Sequence, residues 1–193
     1  MKKLRVLAIL SVVAAVATAA SAQEPFRIAL RFVSDTHVRP SAPARMSAPF
    51  AIGQVTDARG LENPMVLGES QAKRLPKSVE ASSSVPGFVD EALRTSLAEW
   101  NANISPDAPL VLNCQVLQFS VLEHHRVEVD VRFRFQLEDR EGNLVWQTEV
   151  ANEDGVWGRS LSESNYSQAF STATKRAFAD LFDSTGFRAA LTE

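Results

Sequence analysis

From residue 125 to 139 the chain reads HRVEVDVRFRFQLED, and apolar and polar side chains alternate along most of it. Val127, Val129, Val131, Phe133, Phe135 and Leu137 fall on one side of an extended strand. Glu128, Asp130, Arg132, Arg134 and Gln136 fall on the other, because successive side chains of a strand point to opposite faces. This pattern predicts a strand with one face on a core and the other open to water or to a partner. The run DREGN, 139–143, predicts a turn, with Gly142 at a positive-φ position. LVWQTEVAN, 144–152, predicts the returning strand. Just upstream, LVLNCQVLQFSVL, 110–122, is nearly continuous in apolar residues, which predicts a central strand buried on both faces.

Two segments carry helical spacing instead. Phe88, Val89, Ala92, Leu93, Ser96, Leu97 and Trp100 recur at intervals of three and four, with Ser84 placed as a cap and Pro86 in the first turn. Tyr166, Phe170, Ala173, Ala177 and Leu181 form a second stripe, over about 164–182, which Gly186 is placed to end. Toward the N-terminus, 26–33 and 49–60 each predict a short strand. The proline-rich VRPSAPARMSAP, 38–49, predicts an extended connector. Residues 61–84 are polar and irregular and read as a mobile loop, with at most a short strand at 65–67. The order is β-β-α-β-β-β-α. It predicts an α+β domain: a mostly antiparallel sheet of about five strands with two amphipathic helices on one face.

The first 22 residues stand apart. Lys2, Lys3 and Arg5 precede an apolar run, and Ala20-Ser21-Ala22 closes it with small residues. This is the layout of a secretory signal peptide cleaved after Ala22. The apolar run is shorter than the roughly 20 residues a membrane span needs, and no later stretch is long enough. The protein is therefore expected to be exported, to work in the periplasm, and to fold as a single domain over 23–193. Loss of the signal removes three cations and no anion, moving the formal charge from −3 to −6. An acidic surface argues against nucleic acid as a partner. The only cysteine, Cys114, lies in the apolar run 110–122; it is read as a buried, inert residue or, in an oxidising compartment, as a link between chains.

Few residues suggest chemistry. Glu123, His124 and His125 are adjacent, but neighbouring strand residues point apart, and His37 is distant. A zinc site needs three or four convergent ligands. No serine sits in a Gly-x-Ser-x-Gly elbow, and GQVTDARG is neither a phosphate-binding loop nor a dinucleotide fingerprint. No cofactor and no catalytic residue is therefore assigned. The triplets at Asn103 and Asn165 match a glycosylation pattern, but the signal is of bacterial type, where such triplets carry no meaning. Five residues remain as candidates for binding a partner. Asp57 and Arg59 form either a turn-closing ion pair or a ligand-binding pair. Arg132 and Arg134 lie on the polar side of the strand 125–139, where they either pair across strands or face a partner. Trp157, between Gly155 and Gly158, is either a core ring or an exposed anchor.

The stretches AIGQVTDARG, FVDEALRTSLAEW, VEVDVRFRFQLEDREGNLVWQTEV, GVWGRS and YSQAFSTATKRAFADLF, in this order after a signal peptide, resemble the YajG-like family of bacterial envelope lipoproteins. They resemble also the broader group of auxiliary lipoproteins of ABC-type transporters. The resemblance spans most of residues 50–182 and implies no catalytic residues. It departs at the lipid-anchoring cysteine, since Ala22 is followed by Gln23; this implies a protein free in the periplasm or held there by a partner. The expected function is a non-enzymatic envelope binding or adaptor domain, auxiliary to a transport or lipid-trafficking assembly. One alternative is a carrier of a lipid or small apolar ligand, with 61–84 as a lid. A second is a hydrolase using Asp57, His125 and a serine.

Overall fold

The computed structural model describes residues 24–35, 37–41, 48–72, 76–158 and 160–192. The expected signal peptide, 1–22, lies outside them, as do 42–47 of the proline-rich connector. The described elements are β1 (Phe26–Ile28), β2 (Ala51–Asp57), β3 (Val66–Ser70), β4 (Lys77–Ala81), α1 (Val85–Glu99), β5 (Leu110–Glu123), β6 (Val127–Asp139), β7 (Leu144–Val156), α2 (Glu163–Asp183) and α3 (Thr185–Ala190).

Among the described residues the fold is α+β, but with seven strands in a mixed sheet and three helices, where about five mostly antiparallel strands and two helices were expected. The sheet runs β1-β4-β3-β5-β6-β7, with β2 also on β5. β5–β6 and β6–β7 are antiparallel hairpins, as the alternation and the DREGN turn predict. Gly142 has φ 85° in that turn. The extra strands come from 61–84, read above as a loop. β3 and β4 are five residues each and bury few apolar side chains, chiefly Leu67, Val79 and Ala81. So short a segment carries too little periodicity to stand out. Three pairings are parallel: β1 with β4, β2 with β5 and β3 with β5. β2 lies along the first half of β5 and β3 along its last residues, so two short strands share one side of a long one.

β5 departs from its expected burial. Its first half turns Leu112, Cys114 and Val116 inward. A bulge at Leu117 shifts the register, and the second half turns Phe119, Val121 and Glu123 inward. The other side is half-buried or exposed. Among the described residues the helices pack on one face only, so β5 is not covered on both.

The core lies between that face and the helices. α1 begins at Ser84, whose side chain accepts from the backbone N–H of Gly87, as the sequence predicts. It buries Val85, Phe88, Val89, Ala92, Leu93 and Leu97. α2 lies against β6 and β7. Phe119 and Phe170 stack with ring centroids 4.1 Å apart, and Phe178 meets Phe133 and Phe135. Each such ring contributes about 1.5–3 kcal/mol when fully buried. α2 is buried well beyond its apolar stripe, because the segment 30–35 crosses it. The N–H groups of Arg31 and Val33 donate to the hydroxyls of Ser167 and Ser171, one turn apart. The strand expected over 26–33 therefore pairs only over Phe26–Ile28.

Candidate functional site: the outer sheet face and its rim

The alternation of β6 puts one row of side chains on the uncovered face, and the register adds neighbours from β5 and β7. Ser120, Asp130 and Glu153 form one row; next along are Gln118, Arg132 and Ala151, then Gln115, Arg134 and Glu149. Arg134 donates to Glu149 Oε1 at 2.7 and 3.1 Å and to Gln115 Oε1 at 3.4 Å. Asn113 donates to Glu138 and Gln115 to Gln136. The Arg132 side chain is exposed and makes no hydrogen bond or ion pair among the described residues. The Asp130 and Glu153 side chains stand directly opposite each other and likewise make none. Opposed like charges weaken a strand pair. A trough of about 410 Å³ runs over this end, lined by Ser120, Glu128, Asp130 and Glu153 among others.

The two expected arginines thus sit side by side on the open face. Asp57 and Arg59 do not join them. The Arg59 side chain is 3% exposed and grips Asp57 through two hydrogen bonds, at 2.9 and 2.7 Å. Its remaining N–H groups reach the carbonyls of Pro64, Val66 and Phe119. It therefore plugs the fork where β2 ends and β3 begins beside β5. The side-chain hydrogen bonds from Arg59 hold the Asp57 carboxyl below its ordinary range against the opposing effect of burial. A shallow apolar pocket of about 310 Å³ opens beside this plug, lined in part by Leu61, Val66, Leu117 and Phe119.

Trp157 lies just beyond β7 and is 70% exposed, so it is a surface ring and not part of the core. The Arg126 guanidinium stands 5.9 Å from its ring centroid and also pairs with Glu128 at 2.6 Å.

Near this end lies a cluster that sequence reasoning missed. Glu123 is 2% exposed and has no cationic partner among the described residues. Its carboxylate accepts from Tyr166 Oη at 2.7 Å, from the Leu161 N–H at 3.1 Å and from Ser70 Oγ. Burial and the bond to Glu123 push the Tyr166 phenol above its ordinary range. Leu161 holds φ 53°, an uncommon value for a non-glycine residue. The cluster ties β3, β5, the loop after Trp157 and α2 together. The one signal for it was a glutamate closing an apolar run. His124 and His125 are exposed beside it, and His37 is exposed elsewhere.

Among the described residues no three His, Cys, Asp or Glu side chains converge as metal ligands. Asp57 pairs at the level of Val116, while His125 follows Glu123. Seven residues of strand, about 23 Å, separate these levels, and Asp57 is already taken by Arg59. The hydrolase constellation is not assembled. Cys114 is buried, and desolvation drives its thiol well above the ordinary range, which leaves it unreactive.

The fold is a mixed α+β sheet with helices on one face, and proteins of this shape are known. No protein-family model and no curated protein matches the sequence. A Xanthomonas campestris protein of the DUF330 family is 9% identical, with a TM-score of 0.50 over 82% of this chain and 95% of that one. A minor lipoprotein from Acinetobacter baumannii is 14% identical, with a TM-score of 0.36 over 67% and 89%. A PelC dodecamer subunit from Paraburkholderia phytofirmans is 16% identical, with a TM-score of 0.40 over 72% and 90%. At 9% identity the likeness to the Xanthomonas campestris protein is one of fold alone. Among the described residues no helix is long and apolar enough to cross a membrane.

Proposed function

We propose that this chain is a non-enzymatic domain of the bacterial cell envelope, exported to the periplasm after cleavage behind Ala22, and that it works by binding. Its role is that of an adaptor auxiliary to a transport or lipid-trafficking assembly, in the manner of the YajG-like and ABC-associated lipoproteins. The observation that carries this reading is the uncovered outer face of β5–β7, with the unpaired Arg132 at its middle. Trp157 supplies a rigid aromatic anchor at the rim. The test is a photo-crosslinking amino acid placed at Arg132 and, separately, at Trp157 in living cells. Specific adducts with another envelope protein at either position are expected. Their absence at both would overturn the reading.

One observation favours a second reading, a carrier of a small apolar ligand: the pocket beside Arg59. Its open mouth suits a short apolar group. Native mass spectrometry of the purified protein checks this, since a carrier retains its cargo.

A further inference from the structure

On the outer face the signs of the charges follow an order along β6: Glu128, Asp130, Arg132, Arg134. Two acidic positions are followed by two basic ones, symmetric about the midpoint between Asp130 and Arg132. A two-fold axis lying over the face, across the strands at that midpoint, would reverse this order. It would set Arg132 over the second copy's Asp130 and Arg134 over its Glu128, twice each. We propose that the outer face of β5–β7 docks a second copy of this chain in this register. The proposal rests on reading the face as a docking surface.

The charges exclude the neighbouring arrangements. An axis moved onto the Arg132 row sets arginine over arginine, and one on the Asp130 row sets aspartate over aspartate. An axis along β6 itself also stacks each of its residues over its own equivalent. Like charges brought face to face are strongly unfavourable, so among the arrangements centred on β6 a single register survives. In that register Glu153 lies over the second copy's Ala151, beside its Arg132, which relieves the Asp130–Glu153 repulsion present in one chain. Ser120 meets Gln118, a polar pair able to hydrogen-bond. Dimerisation through the free edge of β7 is less favourable. Antiparallel self-pairing about Ala151 would oppose Glu149 and Glu153, both exposed.

With strands about 4.8 Å apart and about 3.3 Å of rise per residue, β5–β7 present a face of roughly 500 Å². Two copies would bury on the order of 1,000 Å², the low end for a specific interface. The dimer is therefore weak, concentration-dependent and loosened by salt.

Sedimentation equilibrium of the protein as its host makes it, across low to high micromolar concentration, tests this. A reversible dimer is expected. Arg132→Asp and Asp130→Arg are each expected to weaken it about tenfold or more, and Arg132→Asp/Asp130→Arg together to restore it to within about threefold. Both positions are exposed, and circular dichroism is to check that each variant is folded. A monomer at every concentration overturns the proposal, as does a dimer indifferent to both reversals. Adducts with another envelope protein at Arg132 in a monomeric chain would overturn this inference and leave the adaptor reading standing.

Discussion

One buried charged side chain ties the two long helices to each other and to the segment that crosses them. The Lys175 side chain is fully buried on α2, and its ammonium donates to Glu99 at 2.5 Å, to Ser34 Oγ at 2.9 Å and to the Asp35 carbonyl at 2.7 Å. It joins α1, α2 and the crossing segment 30–35. Burial alone would raise the Glu99 carboxyl, but hydrogen bonds from Lys175 and Ser34 outweigh it and hold the group low. Glu99→Leu should cost about 3 kcal/mol, because it strands a buried cation. Adding Lys175→Met should recover much of that loss, since the stem already packs in apolar surroundings; urea denaturation of the two variants reads the difference. Arg59 behaves similarly. Arg59→Lys keeps the charge but cannot fork onto Asp57 while reaching three carbonyls. A loss of about 2 kcal/mol is expected, measured by the same titration. Neither role was visible in the sequence. Asp-x-Arg at a strand end is the same pair of letters whether exposed or covered, and here β3 covers it.

Among the elements, the alternation of β6 made both of its faces legible, because a strand's period of two sorts residues without reference to anything else. The fate of β5 was not legible. A bulge adds one residue to one strand, and in a run apolar on both faces nothing marks where it falls. That shift turns Glu123 inward and creates the cluster with Tyr166. β3 depends on a close approach of the same kind. Gly68 has φ 152°, and a Cβ there would lie 1.9 Å from the Val121 carbonyl oxygen. Gly68→Ala is expected to lower stability by at least about 2 kcal/mol, and a thermal melt followed by circular dichroism should show it. A melt unchanged from the parent would mean that β3 does not sit this close to β5.

For the molecule as a whole, pH dependence follows from three depressed carboxyls: Asp57, Glu99 and, through hydrogen bonds from Asn143 in the turn after β6, Asp139. Asp57 and Asp139 have an ordinary value of 3.8 and Glu99 of 4.5, and all three lie lower in the folded state. The unfolded chain therefore binds these protons first as pH falls. Their stabilisation is complete above about pH 5 and declines as pH drops through the ordinary values toward the folded ones. Urea midpoints between pH 7 and 3 should fall in that window, and by less in Asp57→Asn. The outer face should behave in the opposite way. Arg132→Ala is expected to change stability by no more than about 0.5 kcal/mol while altering association, because the Arg132 side chain has no hydrogen bond or ion pair among the described residues.

Local chemistry alone determined a good deal: the β5–β6–β7 meander, the two long helices, the capping serine, the glycine turn and the polar row with Arg132 and Arg134. These rest on periods of two and 3.6 residues and on dihedral preferences, which a short window of chain expresses completely. Tertiary structure decided the parallel pairing of β1, β2 and β3, the burial of Arg59 and Lys175, the inward turn of Glu123 and the exposure of Trp157. Each depends on which distant segment arrives alongside. The free energy that selects it comes from surface buried between elements, and no window of sequence contains both sides of that contact.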